Sequence, residues 1–141
     1  MNKKLISLLA VPALAATIAV ALPAGSATAN SGTWTCKDGG HTLTTNIYFT
    51  QDSVNHTWKY LTYELTGSGT GGKSNWDASF NDGTGERNYH ANNQDDLDND
   101  TLYTENFVDF TSKKSRTETW TASAAFDTRG TDNHCSSSLI Y

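Results

Sequence analysis

Between residues 43 and 140 the chain alternates apolar and polar positions with a period of two. In LTTNIYFT, Leu43, Thr45, Ile47 and Phe49 take every second place; KSNWDASF does the same with Trp76, Ala78 and Phe80, and TETWTASAAFD with Trp120, Ala122, Ala124 and Phe126. Successive residues of a strand point to opposite faces, so this pattern predicts strands with one buried face. TWKYLTYEL changes phase, since Trp58 and Tyr60 share one face while Leu61, Tyr63 and Leu65 share the other. That predicts a bulge near Tyr60 or a strand covered on both sides. TLYTENFVDF, ERNYHA and SSSLIY supply the remaining strands, and no segment carries an apolar stripe at helical spacing. GSGTGGKSN, NDGTG with its Asp-Gly signal, and NNQDDLDND separate the runs as turns and loops. The expected fold is all-β, a single small antiparallel β-sandwich of about seven strands.

The first 29 residues break this pattern. A basic start (Lys3, Lys4) precedes an apolar run from Leu5 to Leu22 and the small-residue pattern Ala27-Thr28-Ala29. These are the parts of a secretory signal peptide, 1–29, cleaved after Ala29 to leave one domain, 30–141. The rival reading, a membrane-anchoring helix, is disfavoured by the well-formed cleavage site and the lack of a lipobox cysteine. The expected location is extracellular, with no membrane attachment after cleavage. Both prolines, Pro12 and Pro23, leave with the leader. Strand addition by a partner is therefore not blocked by proline, although charge or a bulge can blunt an edge instead.

Secretion decides how Cys36 and Cys135 are read. Outside the cell, two thiols in one small domain are expected to pair, here clasping the two ends of the mature chain together. The pairing would remove the free thiolate that a nucleophile made of Cys135 and the adjacent His134 requires. His134 is then a solvent-facing turn residue. Loss of Lys3 and Lys4 with the leader leaves eight basic against fifteen acidic side chains. This balance argues against nucleic acid and against anionic membrane surfaces as partners.

Three places hold residues with chemistry to offer. In DDLDND, Asp96, Asp98 and Asp100 have the one-three-five spacing of calcium loops, but Thr101 and Phe107 stand where an EF-hand needs Gly and Glu. No metal is assigned to this loop; a looser calcium site and a solvated acidic loop remain open alternatives. The aromatic set includes Trp34, Trp58, Trp76 and Trp120. Trp76 and Trp120 are in phase with buried alanines and read as core, while Trp58, Tyr60 and Tyr48 are available as surface rings for a sugar or as interface anchors. His41, His56, His90 and His134 form no HExxH or HxH pattern, and no GxSxG elbow or Gly-rich phosphate loop occurs. No catalytic residue and no cofactor are assigned.

The runs GGKSNWDASF and AAFDTRGTDNHC resemble a family of small secreted actinobacterial β-sandwich proteins, among them the adaptor subunits of Streptomyces umbrella toxin particles. The matching positions are Phe126, Asp127, Gly130, Asp132 and Cys135; Arg129, Thr131 and Asn133 replace prolines of that pattern. The resemblance implies a non-enzymatic adaptor whose partners are other secreted proteins, a lectin-like subunit and a large repeat-containing toxin polypeptide. Contacts are expected in the N-terminal segment (Ser31, Thr33, Trp34), in the Gly-rich loop (Ser68, Thr70, Lys73) and in the acidic loop (Asp95, Asp96, Asp98, Asp100). Two other classes stay open: a carbohydrate-binding module using exposed aromatic rings, and a secreted protease or glycosidase inhibitor.

Overall fold

A computed structural model of the chain describes residues 27–67, 73–84, 87–91 and 96–141. They form eight strands: β1 (Thr28–Asp38), β2 (His41–Gln51), β3 (Asn55–Thr66), β4 (Asn75–Asn81), β5 (Arg87–Ala91), β6 (Leu102–Lys113), β7 (Thr119–Phe126) and β8 (Asn133–Ile140). All pairings are antiparallel, in two four-stranded sheets ordered β1-β2-β3-β6 and β5-β4-β7-β8. The expected sandwich is there, with eight strands rather than about seven. The extra strand is β1. Its inner series is Asn30, Gly32, Trp34 and Cys36, of which only the last two are apolar enough to signal a strand. At Gly32 a side chain would collide with the Tyr141 hydroxyl and the Leu139 side chain, so glycine lets the end of the chain pack against β1. Of the segment 1–29 expected to be a leader, residues 1–26 lie outside the described residues, while Thr28 and Ala29 open β1 opposite Gln51 and Thr50. Among the described residues no helix is long and apolar enough to cross a membrane.

The phase change in β3 is a bulge. Trp58 faces Phe110 and Tyr60 faces Asn106, so the single residue Lys59 stands against Phe107, Val108 and Asp109 of β6. The bulge turns Trp58 to the inner face beside Leu61, Tyr63 and Leu65 and leaves Tyr60 outside. Trp58 and Tyr60 therefore do not share a face. The core between the sheets is aromatic: Trp58, Trp76, Trp120, Phe80 and Phe126 are fully buried. Trp58 meets Trp120 edge to face at 5.5 Å and donates its indole N–H to Ser112 Oγ at 2.6 Å. Tyr63 stacks on Trp76 at 3.8 Å. Such rings dominate the burial available to a domain this small.

One side of the sandwich is sealed where β1 meets β8. The Cys36–Cys135 disulfide spans Cα atoms 5.6 Å apart, the His134 N–H donates to Asp38 Oδ2 at 3.0 Å, and Asn133 Nδ2 lies 3.2 Å from His41 Nδ1. On the other side, the Tyr89 hydroxyl donates to Glu105 Oε1 at 3.2 Å and the Tyr89 ring packs on Phe107.

The buried phenols give the fold a pH signature. Burial, with Glu105 and Tyr103 adding to it, pushes Tyr63 up to about 12, and burial with Glu118 pushes Tyr141 up to about 12. Tyr89 is raised for the same reasons, burial first and Glu105 second. A phenol whose folded pKa lies above its unfolded value favours the native state fully below about pH 10, and that contribution is lost as pH climbs through the folded pKa. Stability is therefore expected to hold up to pH 10 and fall between 10 and 12. Chemical denaturation across that range, paired with phenolate ultraviolet absorbance, checks it; a flat stability profile would contradict the burial of these three rings.

Candidate binding surfaces

Strand period divides the N-terminal candidates between two faces. Ser31 and Thr33 point outward from β1, whereas Trp34 points inward with Cys36 and is buried. Trp34 is thus a core residue and drops out of the contact set, because its phase places the indole between the sheets. Ser31 and Thr33 open two cross-strand rows on the outer face of β1-β2-β3-β6. The first runs Ser31, Tyr48, Tyr60, Asn106 and the second Thr33, Asn46, Thr62, Thr104.

Both rows are ordered by their own side chains. Tyr48 and Tyr60 stack on each other with centroids 4.5 Å apart and planes 18° from parallel. In the next row Thr33 Oγ1 donates to Asn46 Oδ1 at 2.6 Å and Asn46 Nδ2 donates to Thr62 Oγ1 at 3.2 Å. From β6, Leu102 (63 % exposed) and Val108 (94 % exposed) add apolar surface to this face. Among the described residues the charged groups here are few, Lys37, Lys59, Glu64 and Lys113, on a chain with fifteen acidic residues. Besides the bulge, β6 carries Glu105 on its inward side. Both are devices that discourage edge-to-edge strand addition. The exposed face offers more than the edge does.

The loops carry the second group of candidates. Ser68, Thr70 and Asp95 lie outside the described residues. Lys73 is exposed just ahead of β4, and Asp96, Asp98 and Asp100 are exposed in the β5–β6 connection. That connection is anchored. Leu97, only 4 % exposed, plugs into the core, and its N–H donates to the Ser74 carbonyl at 3.1 Å. The Asp100 N–H reaches Leu65 O at 2.8 Å, the Asp98 N–H reaches Tyr103 Oη at 2.7 Å, and Asn99 Nδ2 donates to Gly67 O. Asp96 and Asp100 adopt left-handed backbone (φ 63° and 56°), a conformation Asp tolerates better than most residues. The three carboxylates are thereby presented outward on a fixed backbone. Among the described residues, no cluster of three or more His, Cys, Asp or Glu side chains is placed to hold a metal ion.

Both cysteines are paired, so the Cys135 and His134 juxtaposition supplies no nucleophile. His134 is exposed as expected, but it sits in β8 and not in a turn. Another constellation escaped the sequence reading. His56 Nδ1 donates to Glu118 Oε2, His56 Nε2 lies 3.2 Å from Gln51 Oε1, and Ser112 is the cross-strand neighbour of His56. These are the residue types of a Ser-His-acid triad. The geometry is different, because Ser112 Oγ is held by the Trp58 indole and the imidazole turns its second nitrogen toward Gln51. Ser112, His56 and Glu118 are 5 %, 6 % and 0 % exposed, which leaves no approach for a substrate. The signal that could have found the pair is phase: Glu118 precedes Trp120 by two, and His56 precedes Trp58 by two.

No family model, curated protein or solved structure matches the chain. Its function has to be read from its own surfaces.

Proposed function

We propose that the protein is a secreted, non-catalytic binding module for other secreted proteins, working through the outer face of the β1-β2-β3-β6 sheet. The observation that carries this reading is the Tyr48–Tyr60 stack beside the Thr33, Asn46 and Thr62 ladder, flanked by exposed Leu102 and Val108. Large rings held rigid by each other lose little entropy on docking, and Tyr is over-represented among residues that dominate interface energies. A face poor in charge on an acidic chain also avoids the cost of desolvating carboxylates. The acidic loop end suits a second contact with a basic partner. Two contact regions on one rigid domain fit an adaptor. The resemblance carried by AAFDTRGTDNHC supports the finer reading, an adaptor subunit that joins a lectin-like chain to a large repeat-containing toxin polypeptide.

Sugar binding through exposed aromatic rings is less well supported. All four tryptophans are buried, Trp58 included, and each ring of the Tyr48–Tyr60 pair spends one face on the other. The test is affinity purification of the tagged protein from its native culture supernatant, with mass spectrometry of what is retained. The expected result is recovery of large secreted polypeptides by the natural sequence, with retention falling about tenfold or more in Tyr48→Ala/Tyr60→Ala. Elution of the natural protein alone, or unchanged retention by the double variant, would remove this face from consideration.

A further inference from the structure

The opposite side of the molecule carries a different surface. Two adjoining hollows cross the outer face of the β5-β4-β7-β8 sheet. One, of about 460 Å³, is lined by Asn75, Asp77, Ser123, Ala125, His134 and Ser136; the other, of about 430 Å³, by Asp77, Ser79, His90, Thr121 and Ser123. They share Asp77 and Ser123, so they form one groove running from β8 across β7 and β4 to β5. With strands about 4.8 Å apart, three strand spacings give a length of roughly 14 Å.

The chemistry of the groove is uniform. Its floor is serine, threonine and alanine, with a carboxylate at its middle, an amide beside it and an imidazole toward each end. The strand backbones beneath are already paired within the sheet. A peptide laid across them would therefore find no main-chain partners. Hydroxyls and imidazoles both donate and accept, which matches a ligand whose own groups do both. His90 Nε2 stands 3.9 Å from Asp77 Oδ1, too far for a direct hydrogen bond, and both side chains are about half exposed. A gap of that size between a donor and an acceptor is suited to a bridging hydroxyl. The half-exposed carboxylate and the acidic balance of the chain disfavour an anionic ligand.

We propose that this groove binds a short, straight, uncharged oligosaccharide, with a sugar hydroxyl bridging Asp77 and His90. The site is separate from the protein-binding face, so either assignment can fail alone. Without an aromatic platform the complex is weak, with dissociation constants in the millimolar range. The experiment is amide NMR titration of the folded domain with cellotetraose and with chitotetraose, using the curved maltotetraose as control. Saturable shifts are expected at Ser79, Thr121, Ser123 and Ser136 with at least one straight probe. They should weaken about tenfold in Asp77→Ala and vanish in Ser123→Trp, which fills the groove from an outward position. Near-ultraviolet circular dichroism of both variants verifies that the fold is intact. No saturable shift with either straight probe, shifts confined to the Tyr48 and Tyr60 face, or shifts that persist in Asp77→Ala would overturn the proposal.

Discussion

Replacing Cys36 and Cys135 with serine is expected to destabilise the domain by about 3–5 kcal/mol, lowering its melting temperature by roughly 10–20 °C. The bridge joins residues 99 positions apart, from β1, the first of the eight strands, to β8, the last. A cross-link of that span removes nearly all the open conformations of the unfolded chain, and the chain-entropy account puts the effect of a loop this long at up to about 4.7 kcal/mol. The native-state contribution points the same way. Without the bridge, the β1–β8 side is held by the His134 N–H on Asp38, the Asn133–His41 contact and the packing around Gly32. Small domains have net stabilities of only about 5–15 kcal/mol, so the loss is a large fraction of the total. Urea unfolding of the double serine variant, beside the reduced natural sequence, measures it. A loss below about 1 kcal/mol would mean that β1 and β8 stay together without the bridge and that the disulfide is not the principal clasp.

The residues that were easy to place and those that were not differ in a physical way. Alternation in β2, β4 and β7 was legible because most inner positions are apolar and each strand carries large ones, Leu43, Ile47 and Phe49 in β2, Trp76 and Phe80 in β4, Trp120 and Phe126 in β7. The Lys59 bulge was legible as a broken phase, but the side to which it turned Trp58 was not. That depends on Phe107 and Phe110 across the ladder, more than forty residues away in sequence. β1 was missed because Gly32 and Asn30 occupy inner positions without apolar bulk, and the reason for Gly32 is Tyr141 at the far end of the chain. Leu97 stands between Asp96 and Asp98, and no periodicity marks it as a core residue. Its burial follows from Ser74, which pairs with it across the sandwich end. The outer rows that make the candidate face, and the groove on the other sheet, depend on which strands neighbour which. Local sequence carries little of that information.

Glu118→Ala is expected to cost about 3–5 kcal/mol, while joint replacement of Glu118 and His56 by leucine is expected to cost far less and even to be neutral. Glu118 is fully buried just ahead of β7, with one carboxylate oxygen taken by His56 and the other without a hydrogen-bond partner. Removing the acid strands the imidazole beside Gln51, between the rings of Phe49, Trp58 and Tyr141, where water cannot replace the lost partner. Removing both polar groups instead leaves an apolar space bounded by those rings, which leucine side chains can occupy. An exposed pair would behave differently, with each single change costing no more than about 1 kcal/mol. Tyr141 provides an independent readout. Its phenol is raised to about 12 by burial first and by Glu118 second, so Glu118→Gln should lower its titration toward 10 without reaching it. Denaturant midpoints for the singles and the double, together with phenolate absorbance of the Gln variant, complete the test. Equal losses for the single and double variants would mean that packing alone fixes this end of the sandwich and that the pair adds nothing specific to it.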